Sequence, residues 1–171
     1  MNHSTHNKPA SARWKGWLRD GLIILAIILA VRAWQHQDVI SGEPPALAGM
    51  SLSGQPIALS DFAGQPLLIH FFAPWCPICV ANHDNITHIA QHYPVLMVVV
   101  QTEADELAQW LKDHPEDNPA LMINDPEGQW LHAFGAKALP TSVFIDADGK
   151  IATTELGYIS RLGLWLRFIW L

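Results

Sequence analysis

Cysteine is the scarcest informative residue of this chain: there are two among 171 residues. Two cysteines exclude a multi-bridge disulfide framework. They also exclude a closed zinc site built mainly from thiolates. Charge is sparse as well, at 15% of residues against 50% hydrophobic, which excludes an intrinsically disordered chain. No internal repeat or low-complexity tract is present, so a solenoid is excluded. No long charge-free apolar run occurs either. The longest, Gly21–Val31 ("GLIILAIILAV"), rises only about 16 Å as a helix.

What is present is unevenly spread. Residues 1–34 hold Lys8, Arg13, Lys15, Arg19 and Arg32 against Asp20 alone, a net of +4. The total of -6 therefore leaves -10 on the remainder, from five basic and fifteen acidic residues. An acidic body argues against nucleic acid. A basic arm beside an apolar run points to a membrane. Extended over residues 17–34, the run rises about 27 Å, close to a hydrocarbon core of about 30 Å. Arg19, Asp20 and Arg32 lie near its ends, where arginines reach the headgroups, and Trp14, Trp17 and Trp34 lie at belt positions. The competing reading is a cleaved signal peptide, but "AVRAWQHQ" places Arg32 and Trp34 where small residues are wanted. A buried core helix fits the one-sided flanking charge less well. The expected organisation is thus a basic cytoplasmic arm at 1–16, a single-pass signal-anchor helix at 17–34, a polar tether at 35–45 and a folded domain at 46–171 on the far side of the membrane.

The domain alternates strand and helix signals. Met50–Leu52 and Pro56–Leu59 flank Ser53-Gly54-Gln55 as a small hairpin. "LLIHFF" (Leu67–Phe72) and "VLMVVVQ" (Val95–Gln101) read as buried strands. Helices are expected from Cys76 to about Tyr93, over Glu103–Lys112 and over Arg161–Leu171. "TSVFIDADGKIATT" reads as two strands around the turn Asp146–Gly149. The order predicts an α/β fold with a mixed central sheet flanked by helices.

The chemistry centres on "FFAPWCPIC" (Phe71–Cys79). Cys76 falls at the cap of the expected helix and Pro77 at its first position, where a missing N–H costs nothing. Free N–H groups and the positive helix end favour a thiolate at Cys76, the form that exchanges disulfides. Cys79 lies three residues on, on the same helical face, more buried and of higher pKa. A disulfide across two residues constrains almost no chain entropy, so a stabilising role is a poor explanation. Half a zinc site and inert packing are the competing readings. His83, His88 and His92 recur along the same helix, and copper or zinc binding there competes with solvated positions, the reading adopted. In "ALPTSVFID", Pro140 stands directly before a strand, which a cis Leu139–Pro140 bond would make useful by turning the Leu139 backbone toward an incoming peptide.

Together "FFAPWCPIC", "ALPTSVFIDADGKI" and Gly157 resemble the thioredoxin superfamily. The basic-apolar N-terminus and the lead-in "SLSGQPIALSDFAGQPLLIHFFAPWC" resemble its membrane-anchored periplasmic branch, the TlpA/ResA-like proteins. That branch includes cytochrome c maturation reductases and suppressor of copper sensitivity D proteins, and Pro77 resembles the latter more closely. The resemblance covers about residues 44–160. It implies a thioredoxin fold, Cys76 as nucleophile, Cys79 as resolving thiol, Pro140 as the cis-proline, and Trp75, Pro77 and Leu139 in support. It implies no dissociable cofactor and no metal, only the redox-active pair. The implied partners are protein thiols and disulfides, the inner membrane, and a transmembrane thiol reductase of the DsbD/ScsB type as electron donor.

Two positions depart from that branch. His70 stands where thioredoxin has a buried aspartate, and Asn82 where many cytochrome-maturation relatives have a glutamate. His70 is accordingly a candidate proton relay, set against a plain hydrogen-bonded core histidine. Three functions are open: thiol–disulfide exchange, copper handling through the soft thiols, and a thiol peroxidase. The last needs a threonine three residues before the cysteine, where this chain has Ala73. The redox potential is expected between thioredoxin's about -270 mV and DsbA's about -120 mV, nearer the former.

Overall fold

A computed structural model describes residues 17, 19–27 and 42–171 of the chain. The basic arm 1–16, much of the expected 17–34 span and most of the 35–45 tether lie outside the described residues. The chain divides into two units, Met1–Asp38 and Val39–Leu171. In the first, residues 17 and 19–27 are helical and exposed. Among the described residues, no helix is long and apolar enough to cross a membrane.

Among the described residues, the second unit carries seven strands. β1 (Ala48–Met50) and β2 (Pro56–Ala58) pair antiparallel as the expected small hairpin. The remaining five are β3 (Leu67–Phe72), β4 (Val95–Val100), β5 (Met122–Asp125), β6 (Thr141–Ile145) and β7 (Ile151–Leu156), in spatial order β5-β4-β3-β6-β7. β3, β4 and β5 run parallel; β6 and β7 complete the sheet antiparallel. Four helices accompany them: α1 (Pro77–Ala90), α2 (Ala104–Asp113), α3 (Gln129–Ala133) and α4 (Arg161–Ile169).

All residues of β3 and β4 are buried, because both faces of the sheet are covered. Strand alternation then divides the side chains. Leu68 and Phe72 of β3, with Val95, Met97 and Val99 of β4, share one core with Ile86 and Ile89 of α1, Leu107 and Trp110 of α2, and Leu164 and Phe168 of α4. Leu67, Ile69 and Phe71, with Leu96, Val98 and Val100, share the other with Leu47, Ile57, Leu131 and Phe134. Each such aliphatic side chain contributes about 1.5–3 kcal/mol on burial. The closing helix α4 packs against the body, as expected. Trp165 lies against Tyr93, with ring centroids 5.6 Å apart, while Trp170 is exposed.

Two elements had no counterpart in the sequence reading. β5 ("MIND") extends the parallel side of the sheet. Asp125 at its end then starts α3, accepting the backbone N–H groups of Gln129, Trp130 and Leu131 on its carboxylate.

Candidate functional site

The site forms where β3 ends and α1 begins. Cys76 is the N-cap of α1, with extended backbone (φ -90°, ψ 112°), and Pro77 occupies the first turn. The Cys76 N–H donates to the Ala73 carbonyl at 3.1 Å, closing the turn out of the strand. The backbone N–H of Cys79 donates to Cys76 Sγ at 3.4 Å. The sulfur thus takes the place of a capping oxygen, at the positive end of a 14-residue helix.

Cys76 and Cys79 are free thiols. Cys76 is 7% exposed and Cys79 1%. Burial pushes the Cys79 thiol up to about 12, and its hydrogen bond with Cys76 adds to the shift. Cys79 therefore holds its proton at neutral pH.

Leu139 and Pro140 approach from the other side. Their peptide bond is cis, and the Leu139 carbonyl lies 3.9 Å from Cys76 Sγ. The loop is pinned twice: Thr141 Oγ1 donates to the Ala138 carbonyl at 2.7 Å, and the Gly157 N–H donates to the Pro140 carbonyl at 2.8 Å. The rim is apolar. Trp75 and Ile78 are each 50% exposed, and Tyr158 stands open as well. Trp75 is nonetheless anchored, its Nε1–H donating to the Gln101 carbonyl at 2.9 Å. Gln101 itself has φ 49°, the one non-glycine residue with positive φ among the described residues.

His70 lies on β3 and is 2% exposed. Its Nδ1 is 2.9 Å from Oγ of Ser142, its register partner on β6. Burial, reinforced by neighbouring His83, pushes the His70 imidazole down to about 3; Asp117 opposes the shift. Such a ring stays neutral at working pH and is too weak a base to hold a proton taken from Cys79. Its geometry is that of a hydrogen-bonded core histidine.

Asn82 is fully buried and ties α1 to the loop after β7. Its Oδ1 accepts the Ile159 N–H at 3.2 Å and the Asn85 amide at 3.3 Å. Asn85 Nδ2 also reaches Tyr158 Oη and the Ile159 carbonyl. Sequence reasoning missed Asn85. Its spacing from Cys79, Asn82 and Ile86 on one helical face was the available signal.

The histidines of α1 require a correction. The sequence pattern predicts solvated positions for His83, His88 and His92; His92, just beyond the end of α1, is exposed and His88 half-buried, but His83 is 5% exposed. It lies in the core beside Phe72 and Trp110.

Comparison with known proteins agrees with this geometry. The Redoxin family profile matches residues 37–161. A thiol:disulfide interchange protein DsbE from Xylella fastidiosa is 28% identical over 153 residues, covering 82% of this chain and 77% of its own. The thiol-disulfide oxidoreductase ResA of Bacillus thuringiensis is 28% identical over 117 residues, 66% of each chain. Among solved structures, the pneumococcal exposed lipoprotein thioredoxin Etrx1 from Streptococcus pneumoniae superposes with a TM-score of 0.62 at 27% identity, over 74% of this chain and 100% of its own. With a thioredoxin fold, a capped C-x-x-C helix and thiol:disulfide exchange proteins as its homologues, the chain belongs to the Redoxin family.

Proposed function

We propose that this chain is a periplasmic protein-disulfide reductase, held at the inner membrane by residues 17–34 and reaching its substrates on the 35–45 tether. The observation that carries the reading is the asymmetry of the pair. Cys76 Sγ sits at the helix N-terminus facing the Leu139 carbonyl, while Cys79 is shut behind it with its proton held.

The chemistry follows from that asymmetry. The Cys76 thiolate attacks one sulfur of a substrate disulfide. A mixed disulfide forms and the other substrate sulfur leaves as thiolate. The Cys79 proton passes to that thiolate or to water. Cys79 sulfur then attacks Cys76 Sγ and expels the second substrate sulfur. Two electrons have moved from the pair to the substrate, leaving a Cys76–Cys79 disulfide. No dissociable cofactor is needed. A transmembrane thiol reductase of the DsbD/ScsB type is the proposed electron donor.

The rim supports a peptide substrate. Trp75, Ile78 and Tyr158 present apolar surface around the sulfur, and the Leu139 backbone lies alongside it. Two substrate classes divide the reading. Pro77 favours the copper-sensitivity type, with a role in copper and redox stress tolerance. The resemblance to cytochrome c maturation reductases favours a role in cytochrome c maturation, alongside relatives named as thiol:disulfide interchange and oxidoreductase proteins. Trapping separates them. Full-length Cys79→Ala should accumulate mixed disulfides on Cys76 that reductant releases. Apocytochrome c among the captured proteins selects the second class. No mixed disulfide at all, with Cys76 alkylatable, would refute the reductase reading.

A further inference from the structure

A second cluster of chemically competent side chains lies below the cysteines, and thiol exchange does not use it. His83 is one helical turn beyond Cys79, on the same face of α1. Its Nε2 lies 3.3 Å from Asp117 Oδ1 and 3.4 Å from Glu116 Oε1. Neither contact is a hydrogen bond: His83 Nε2 and Asp117 Oδ1 are both buried without a partner. One donor nitrogen facing two carboxylates, yet bonded to neither, is poor use of a buried site. His114 completes the group, its ring 4.6 Å from that of His83. Ligand atoms of His83, His114 and Glu116 all lie within 4.8 Å of one another.

We propose that His83, His114, Glu116 and Asp117 form a binding site for a divalent transition-metal cation of the zinc class. The spacing fits. Zinc bonds to nitrogen and oxygen of about 2.0–2.1 Å at tetrahedral angles place neighbouring ligand atoms about 3.4 Å apart. The donor set fits too, since imidazole with carboxylate suits zinc, copper or nickel better than magnesium or calcium. A cation placed among these atoms satisfies both orphaned atoms at once.

The surroundings are those of a supported metal site. Asp117 Oδ2 accepts the indole N–H of Trp110 at 2.9 Å, which leaves Oδ1 free for a cation. His114 Nδ1 is 3.1 Å from the Trp110 carbonyl, and the His114 ring stacks on the indole with centroids 3.7 Å apart. These contacts orient both groups. Glu116, with its side chain 46% exposed, supplies the route from solvent. The site is separate from the thiols and does not depend on the proposed reductase activity.

The test uses the full chain carrying Cys76→Ser and Cys79→Ser, so that thiols cannot bind metal. Titration with Zn2+ alone should give one tight equivalent that excess Mg2+ does not displace. His114→Ala and Glu116→Gln, each added singly, should weaken it at least about tenfold. Both positions are partly open to solvent, so these variants test the site even if His83→Ala fails to fold. His88→Ala with His92→Ala, which removes the histidine pair at the C-terminal end of α1 and just beyond it, should leave the tight equivalent in place. Zn2+ should also raise the melting temperature of the parent and not of Glu116→Gln. Equal Zn2+ affinity in parent, His114→Ala and Glu116→Gln would overturn the proposal and leave the cluster as an ion pair. So would loss of the tight equivalent only with His88 and His92.

Discussion

The backbone N–H of Gly157 donates to the carbonyl of Pro140 across 2.8 Å, one rung beyond the Thr141–Leu156 pair that ends the β6–β7 ladder. The sheet edge is thereby fastened to the residue after Leu139, whose carbonyl faces Cys76. Gly157 meets this bond with φ +85°, a conformation that side chains disfavour.

Gly157→Ala therefore tests how firmly the loop is held. Open space surrounds the position, so the cost is backbone strain without a clash. A loss of about 1–2 kcal/mol is expected in urea denaturation, with unchanged m-value. An unaffected midpoint would mean that the loop tolerates another conformation.

Asn82 provides a second test. Replacement by Ala removes the acceptor of the buried Ile159 N–H and costs about 1–3 kcal/mol. The effect is read by equilibrium unfolding. Reduction activity should fall less than stability, because the Asn82 side chain bonds Ile159 and Asn85 and neither sulfur.

His70 predicts a pH dependence. Its folded pKa, about 3, lies below the ordinary 6.5. The unfolded chain therefore binds the proton more readily than the folded one between those values. Stability is full above about pH 6.5 and declines as pH falls toward 3, by up to about 1.4 kcal/mol per pH unit. The difference in unfolding free energy between parent and His70→Asn should shrink with acidification over that window. A difference independent of pH would refute the shift. The pH profile of disulfide reduction should be the same in both proteins; a displaced profile would restore the proton-relay role.

Much of this was legible in the sequence because the informative segments are extreme. β3 is apolar but for His70 and β4 is an unbroken apolar run, while Pro77 stands between the two cysteines and Pro140 directly before β6. β5 carries little signal because "MIND" has only two apolar residues, and α3 has five residues in all, too few to show a period. The burial of His83 is hidden in the sequence of α1 for a physical reason. The helix's buried positions are Cys79, Asn82, His83, Asn85, Ile86 and Ile89, half of them polar. Hydropathy cannot reveal that His83 is enclosed by Phe72, Trp110 and the loop after α2, or that Asn82 and Asn85 bond the loop after β7. Nor could the sequence show Glu116 and Asp117 meeting His83, since that juxtaposition depends on how α2 packs.

The most direct measurement is alkylation of the reduced full-length protein across pH, with each cysteine mapped by mass spectrometry. The account predicts label on Cys76 alone at pH 7, with Cys79 protected until strongly alkaline pH, and a single Cys76–Cys79 disulfide after mild oxidation. Label on Cys79 at neutral pH, or no internal disulfide on oxidation, would contradict it.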